Sequence, residues 1–104
     1  MEDATLDEHA QQLAALGHPI RLRALRFIVR AGAGGASAGA IAAHVDLVAS
    51  TLSHHLKRLV EADLVTTRAE ATFLYYSANY PALRSLTDYL WEDCCRDGDK
   101  PSCC

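Results

Sequence analysis

No stretch of the 104 residues holds a run of about eighteen apolar side chains, the length a helix needs to cross a bilayer. A basic start followed by an apolar segment is also missing, since the chain opens with Glu2, Asp3, Asp7 and Glu8. Neither a membrane span nor a secretory leader is expected, and a cytoplasmic location is the expectation that follows. Cysteine is absent from the body of the chain, because all four fall in the last eleven residues as Cys94-Cys95 and Cys103-Cys104. A disulfide scaffold spreads its cysteines through the fold, so that class is excluded. An excess of cations is lacking too: the formal charge is −3, which taken alone disfavours nucleic acid. Catalytic sets are missing as well. Ser53-His54-His55 has no evident acid partner and Cys94-Cys95 has no base beside it, so no enzyme is expected.

What is present makes one domain of ordinary size, half of it apolar. Its charge is distributed unevenly. Residues 9–84 hold eight cationic side chains against four acidic ones, so the middle is +4 while both ends are acidic and are expected to lie away from any DNA.

Residues 49–65, ASTLSHHLKRLVEADLV, carry the clearest function. Leu52, Leu56, Leu59 and Val60 recur at i, i+4, i+7 and i+8 and form one apolar stripe of a helix. The opposite face carries Thr51, His54, Lys57 and Arg58, flanked by Ser50 and Ser53. Hydroxyls and imidazole suit base edges, and the cations suit phosphates. A polar helix face is usually only a solvated one. Here, however, two short β-prone runs follow at 64–67 and 73–77, and a short helix precedes at Ala38–Val45 with Asp46-Leu47 as the turn. That order is helix-turn-helix and wing.

The remaining elements support this domain. Leu6, Leu13 and Leu16 mark a first helix ending near Gly17, and Pro19 opens a second that runs to Ala31 with Leu22, Leu25, Phe27, Ile28 and Val29 as its core. The arginines on it, Arg23 and Arg26 among them, read as a solvated face. Ser37 is the expected cap of the short alanine-rich helix, whose His44 reads as a surface or capping histidine. The wing tip, residues 69–72, lacks the glycine a tight hairpin prefers, and Arg68 is the one cation near it, for the DNA backbone. Asn79 and Pro81 open a last helix expected to reach Cys95, with Leu83, Leu86 and Leu90 as its stripe and Cys94 continuing it. The expected architecture is mainly α with a small β-hairpin: a winged helix-turn-helix over residues 1–96, a cysteine-bearing tail over 97–104, and a homodimer through the first and last helices.

Residues 16–25 (LGHPIRLRAL), 50–59 (STLSHHLKRL), 62–65 (ADLV) and Tyr75-Tyr76 resemble the ArsR/SmtB family of dimeric winged-helix repressors, which leave operator DNA when a metal ion or metalloid binds. The resemblance spans nearly the whole chain. It implies a transcriptional sensor that binds operator DNA through Ser50, Thr51, Ser53, His54, Lys57 and Arg58, with Arg68 on the backbone; for His55, helix packing and DNA contact are equally open. Family members differ in where the inducer is held. The helix before the recognition helix has no cysteine here and the last helix has no histidine, whereas Cys94-Cys95 with cysteines in a short tail resembles an arsenite-responsive subgroup. Trivalent arsenic takes three thiols in a pyramid, expected from Cys94, Cys95 and Cys103, or Cys104 in place of Cys103, with arsenite or antimonite as inducer. Cadmium and copper(I) also favour sulfur. A redox-responsive repressor, a cytosolic thiol protein sequestering metal, and incidental terminal cysteines are the competing readings.

Overall fold

The computed structural model describes residues 2–98. Helix α1 (Glu2–Leu16) closes where the Gly17 N–H reaches the Ala14 carbonyl, and α2 (Pro19–Ala31) follows at once. His18 caps α2 by accepting the Ile20 N–H on Nδ1 at 3.2 Å, and Pro19 sits in the first turn, where a missing N–H breaks no helical bond. Ser37 caps α3 (Ala38–Val45) by accepting the Ala40 N–H at 3.1 Å. That helix ends on Asp46, left-handed at φ 57°, which turns the chain into α4 (Ala49–Glu61).

Beyond α4 lies the wing, in which β2 (Val65–Glu70) pairs antiparallel with β3 (Phe73–Ala78) from Val65↔Ala78 to Glu70↔Phe73. The hairpin is not the whole sheet. Ala36 and Ser37 form a short strand, β1 (Ala36–Ser37), opposite Tyr76 and Tyr75, so the order is β1-β3-β2. Gly35 makes that approach possible: it has φ 78°, and a Cβ there would lie 2.5 Å from the Tyr76 carbonyl oxygen. The last helix is α5 (Tyr80–Trp91), whose cap Asn79 accepts the Ala82 N–H at 3.3 Å and donates through Nδ2 to the Asp63 carbonyl at 2.8 Å.

The core joins Leu25 and Ile28 of α2, Ile41 of α3, Leu52, Leu56 and Leu59 of α4, Leu64, Val65 and Leu86. Burying a leucine stabilises by roughly 1.5–3 kcal/mol, so three on one face anchor α4 and leave its other face to be chosen for function. Three expectations are corrected. Leu22 and Val29 are exposed, and Ala24, fully buried, takes the place beside Leu25 and Ile28. On α1 the buried face is His9, Gln12 and Ala15, while Leu6 and Leu13 face out. Finally, α5 stops at Trp91 and does not reach Cys95. Glu92 and Asp93 would add two carboxylates to the negative end of the helix dipole, and no basic residue in the last turn offsets them. The chain leaves in successive turns, with Asp93 at φ 58° and Cys95 at φ 63°.

Candidate DNA interface and thiol site

Helix α4 sorts its residues by face. Leu52, Leu56 and Leu59 are buried, and Ser50, Thr51, Ser53, His54, Lys57 and Arg58 are all exposed. Among the described residues none of these six enters an ion pair. The helix is also open at its start. Its N-cap, Val48, has no side-chain acceptor, so its leading N–H groups carry no side-chain cap. One end and one face of α4 therefore offer donors and cations to solvent.

Arg68 is placed differently. Its guanidinium lies 3.1 Å from the Glu70 carboxylate, donates to the Gly34 carbonyl at 3.3 Å and sits 5.0 Å from the Tyr75 ring centroid. It folds onto its own wing, so a phosphate has to compete with Glu70 for it. The tip turns at Ala71, which takes φ 56° in the place where glycine fits without strain. His55 is half-buried against α2, its ring 4.6 Å from that of His18. Burial holds its pKa below the usual 6.5, and the neighbouring His18, Arg21 and His54 push in the same direction. His44 is exposed and stacks on Phe27 with ring centroids 4.3 Å apart.

Cys94 and Cys95 lie together beyond α5, with sulfurs 3.6 Å apart and both residues half-buried. Cys103 and Cys104, expected to supply the third thiol, lie outside the described residues. Among the described residues no three His, Cys, Asp or Glu side chains converge as a metal site.

Two residues that the sequence reading passed over connect these regions. His9 and Gln12 are buried on α1. Gln12 donates through Nε2 to the Ala62 carbonyl at 3.2 Å. Ala62 caps the C-terminus of α4. A carbonyl only accepts, so the Gln12 amide is oriented with Oε1 toward His9, which donates from Nδ1 across 3.0 Å. The His9 ring in turn packs on Tyr89 of α5 at 4.5 Å. A contiguous path thus runs from the last turn of α5 to the end of α4. Its sequence signal was the His9–Gln12–Leu16 spacing, the same as an apolar stripe, although polar residues occupy two of its positions.

Comparison with known proteins gives the following. The family model described as "Helix-turn-helix domain" matches residues 16–68. The nodulation protein NolR of Rhizobium meliloti is 36% identical over 93 residues, covering 86% of this chain and 74% of that protein. A crystal structure described as a possible transcriptional regulator for arsenical resistance is 34% identical with TM-score 0.65, covering 80% of this chain and 86% of that one. The homodimeric winged helix-turn-helix domain of Mb0332 from Mycobacterium bovis, described as a possible ArsR-family regulator, is 25% identical with TM-score 0.70, covering 95% and 92%. No helix of the described residues is long and apolar enough to cross a membrane.

Proposed function

Since the chain belongs to the ArsR/SmtB family of winged-helix DNA-binding regulators, which are not enzymes, we propose that it is a dimeric repressor released from operator DNA by arsenite or antimonite. The polar face of α4 enters the major groove. Ser50, Thr51, Ser53 and His54 meet base edges, and Lys57 and Arg58 meet phosphates, with Arg68 on the backbone once freed from Glu70.

The observation that carries the inducer reading is the sulfur pair. With bonds of about 2.3 Å, as for a thiolate on a metal, a 3.6 Å separation gives roughly 100° at the bridging atom, which suits a three-sulfur pyramid. Each As–S bond forms as an arsenic hydroxyl leaves with the thiol proton as water, so no thiolate has to exist beforehand. The acidic surroundings at Glu92, Asp93 and Asp97 therefore do not oppose it. Cys103, with Cys104 as the alternative, supplies the third sulfur. Closing this site reorders the turns after α5, and Tyr89, His9 and Gln12 carry the change to Ala62 and the pitch of α4. A coupling of about 1–3 kcal/mol is typical of such linkage. The dimer pairs α1 and α5, whose Leu6, Leu13, Leu90 and Trp91 are 42–65% exposed in the single chain.

Thiol counting tests the site. In the fully reduced protein, saturating arsenite should protect three of the four cysteines from a thiol reagent; protection of none or one would refute a three-sulfur site. A redox-responsive repressor is the second reading, favoured by the closeness of the Cys94 and Cys95 sulfurs, 3.6 Å apart. It requires release of DNA by oxidant in the absence of metalloid.

A further inference from the structure

Two histidines and two arginines gather where α2 meets α4. His18 is held by its own cap: Nδ1 accepts the Ile20 N–H, which leaves Nε2 as the protonated, donating nitrogen. The His55 ring lies against it at 4.6 Å. Arg21, in the first turn of α2, has its Nε buried with no hydrogen-bond partner. An unpaired buried donor is destabilising, so the position calls for an acceptor. Arg21 and Arg58 line one cleft of ≈ 450 Å³ between α1, α2 and α4, which Glu61 also borders. Among the described residues neither arginine is in an ion pair.

We propose that His18, Arg21, His55 and Arg58 form a phosphate-binding site at the junction of α2 and α4, filled in the operator complex by a phosphodiester of the DNA backbone. The proposal rests on the DNA-binding reading above. It extends the phosphate contact of Arg58 on the recognition face to His18 and Arg21 of α2 and to His55, and so fixes how deeply α4 lies in the groove, because phosphate contacts position a protein and base contacts specify it. The start of α2 adds its positive dipole end to the four side chains. Glu61 repels a dianion more than a monoanion, which favours a diester over a terminal phosphate.

Proton uptake is the site's second mark. His55 faces His18 and Arg21 from α2, has His54 and Arg58 on its own helix, and shares the region with Glu61; α1 contributes only the uncharged Gln11, Ala14 and Ala15 to the cleft. Burial first, and then this cationic surrounding, holds the His55 pKa below the usual 6.5, and a bound phosphate opposes the second of these. Binding therefore takes up a proton and tightens as pH falls.

The test has two arms. In the first, inorganic phosphate is titrated into the reduced protein without DNA while the histidine imidazoles are followed by NMR. Saturable shifts of His18 and His55, lost in Arg21→Gln, are expected. In the second, operator affinity is measured against salt at pH 6 and pH 8 for the wild type, Arg21→Gln, Arg21→Lys and His55→Gln. Arg21→Gln should lower the slope of log K on log [salt] by about 1, and Arg21→Lys should restore it. The wild type should bind several-fold tighter at pH 6 than at pH 8, with most of that gain missing in His55→Gln. Unmoved imidazoles together with unchanged slopes and pH response, on an operator still bound, overturn the proposal. Phosphate shifts with an unchanged operator slope keep the site and overturn its assignment to DNA. Should the wild type bind no operator, the DNA reading itself fails and the phosphate arm alone decides whether the site exists.

Discussion

Gln12 joins α1 to the end of α4 and, through His9, to α5. Replacing it with leucine leaves the Ala62 carbonyl and the His9 N–H without partners, a loss of roughly 1–3 kcal/mol. On the proposed path it also cuts the line from α5 to α4. Gln12→Leu should therefore still bind operator, yet show an arsenite-induced loss of affinity several-fold smaller than the wild type, as read by titration with and without arsenite. His55 makes a second prediction, for stability. Its folded pKa lies below 6.5, so the unfolded chain holds the proton more tightly. Its contribution is complete above about pH 6.5 and declines as pH falls through that value toward the folded pKa. Urea midpoints at pH 8 and pH 5.5 should differ less in His55→Gln than in the wild type. Ala71, left-handed at the wing tip, should give way to glycine with a gain of about 0.5–1 kcal/mol in thermal unfolding, since an L-residue is strained there.

At the scale of elements, the caps decide where helices begin, and most of them were legible. Ser37, Asn79 and Pro19 stand in the sequence where the helices start, whereas the His18 cap of α2 shows only in the structure. Asn79→Ala should cost about 1–2 kcal/mol, because it removes the α5 cap together with the bond to Asp63. The face of α4 was legible for the same reason as its core: leucines at helical spacing fix which residues look outward. The end of α5 was not. Leu83, Leu86, Leu90 and Cys94 keep the apolar rhythm past Trp91, and rhythm takes no account of the two carboxylates that end the helix. Strand β1 has two residues and carries no alternation to read; it exists because Gly35 lets the chain approach β3. His9 and Gln12 escaped because polar side chains on an amphipathic helix are read as solvated unless their partners are known.

For the whole molecule, the exposed leucines are the central matter. α1 turns polar and small residues inward and leaves Leu6 and Leu13 outside, and Leu90 and Trp91 of α5 are uncovered as well. The proposed dimer buries them. Leu90→Asp should shift sedimentation toward the monomer and weaken operator binding at least tenfold, while the far-UV spectrum stays unchanged. In the proposed dimer the same seam lies just before Cys94, so a ligand on the proposed site would act on the assembly and not on one chain. The most direct test is fluorescence anisotropy of labelled DNA from upstream of the chain's own coding sequence, bound by fully reduced protein and then titrated with arsenite. The expected result is release by arsenite that is lost in Cys94→Ser and in Cys95→Ser, with operator affinity before arsenite unchanged in both. Binding that arsenite leaves intact, or release that persists without Cys94 and Cys95, would contradict the account.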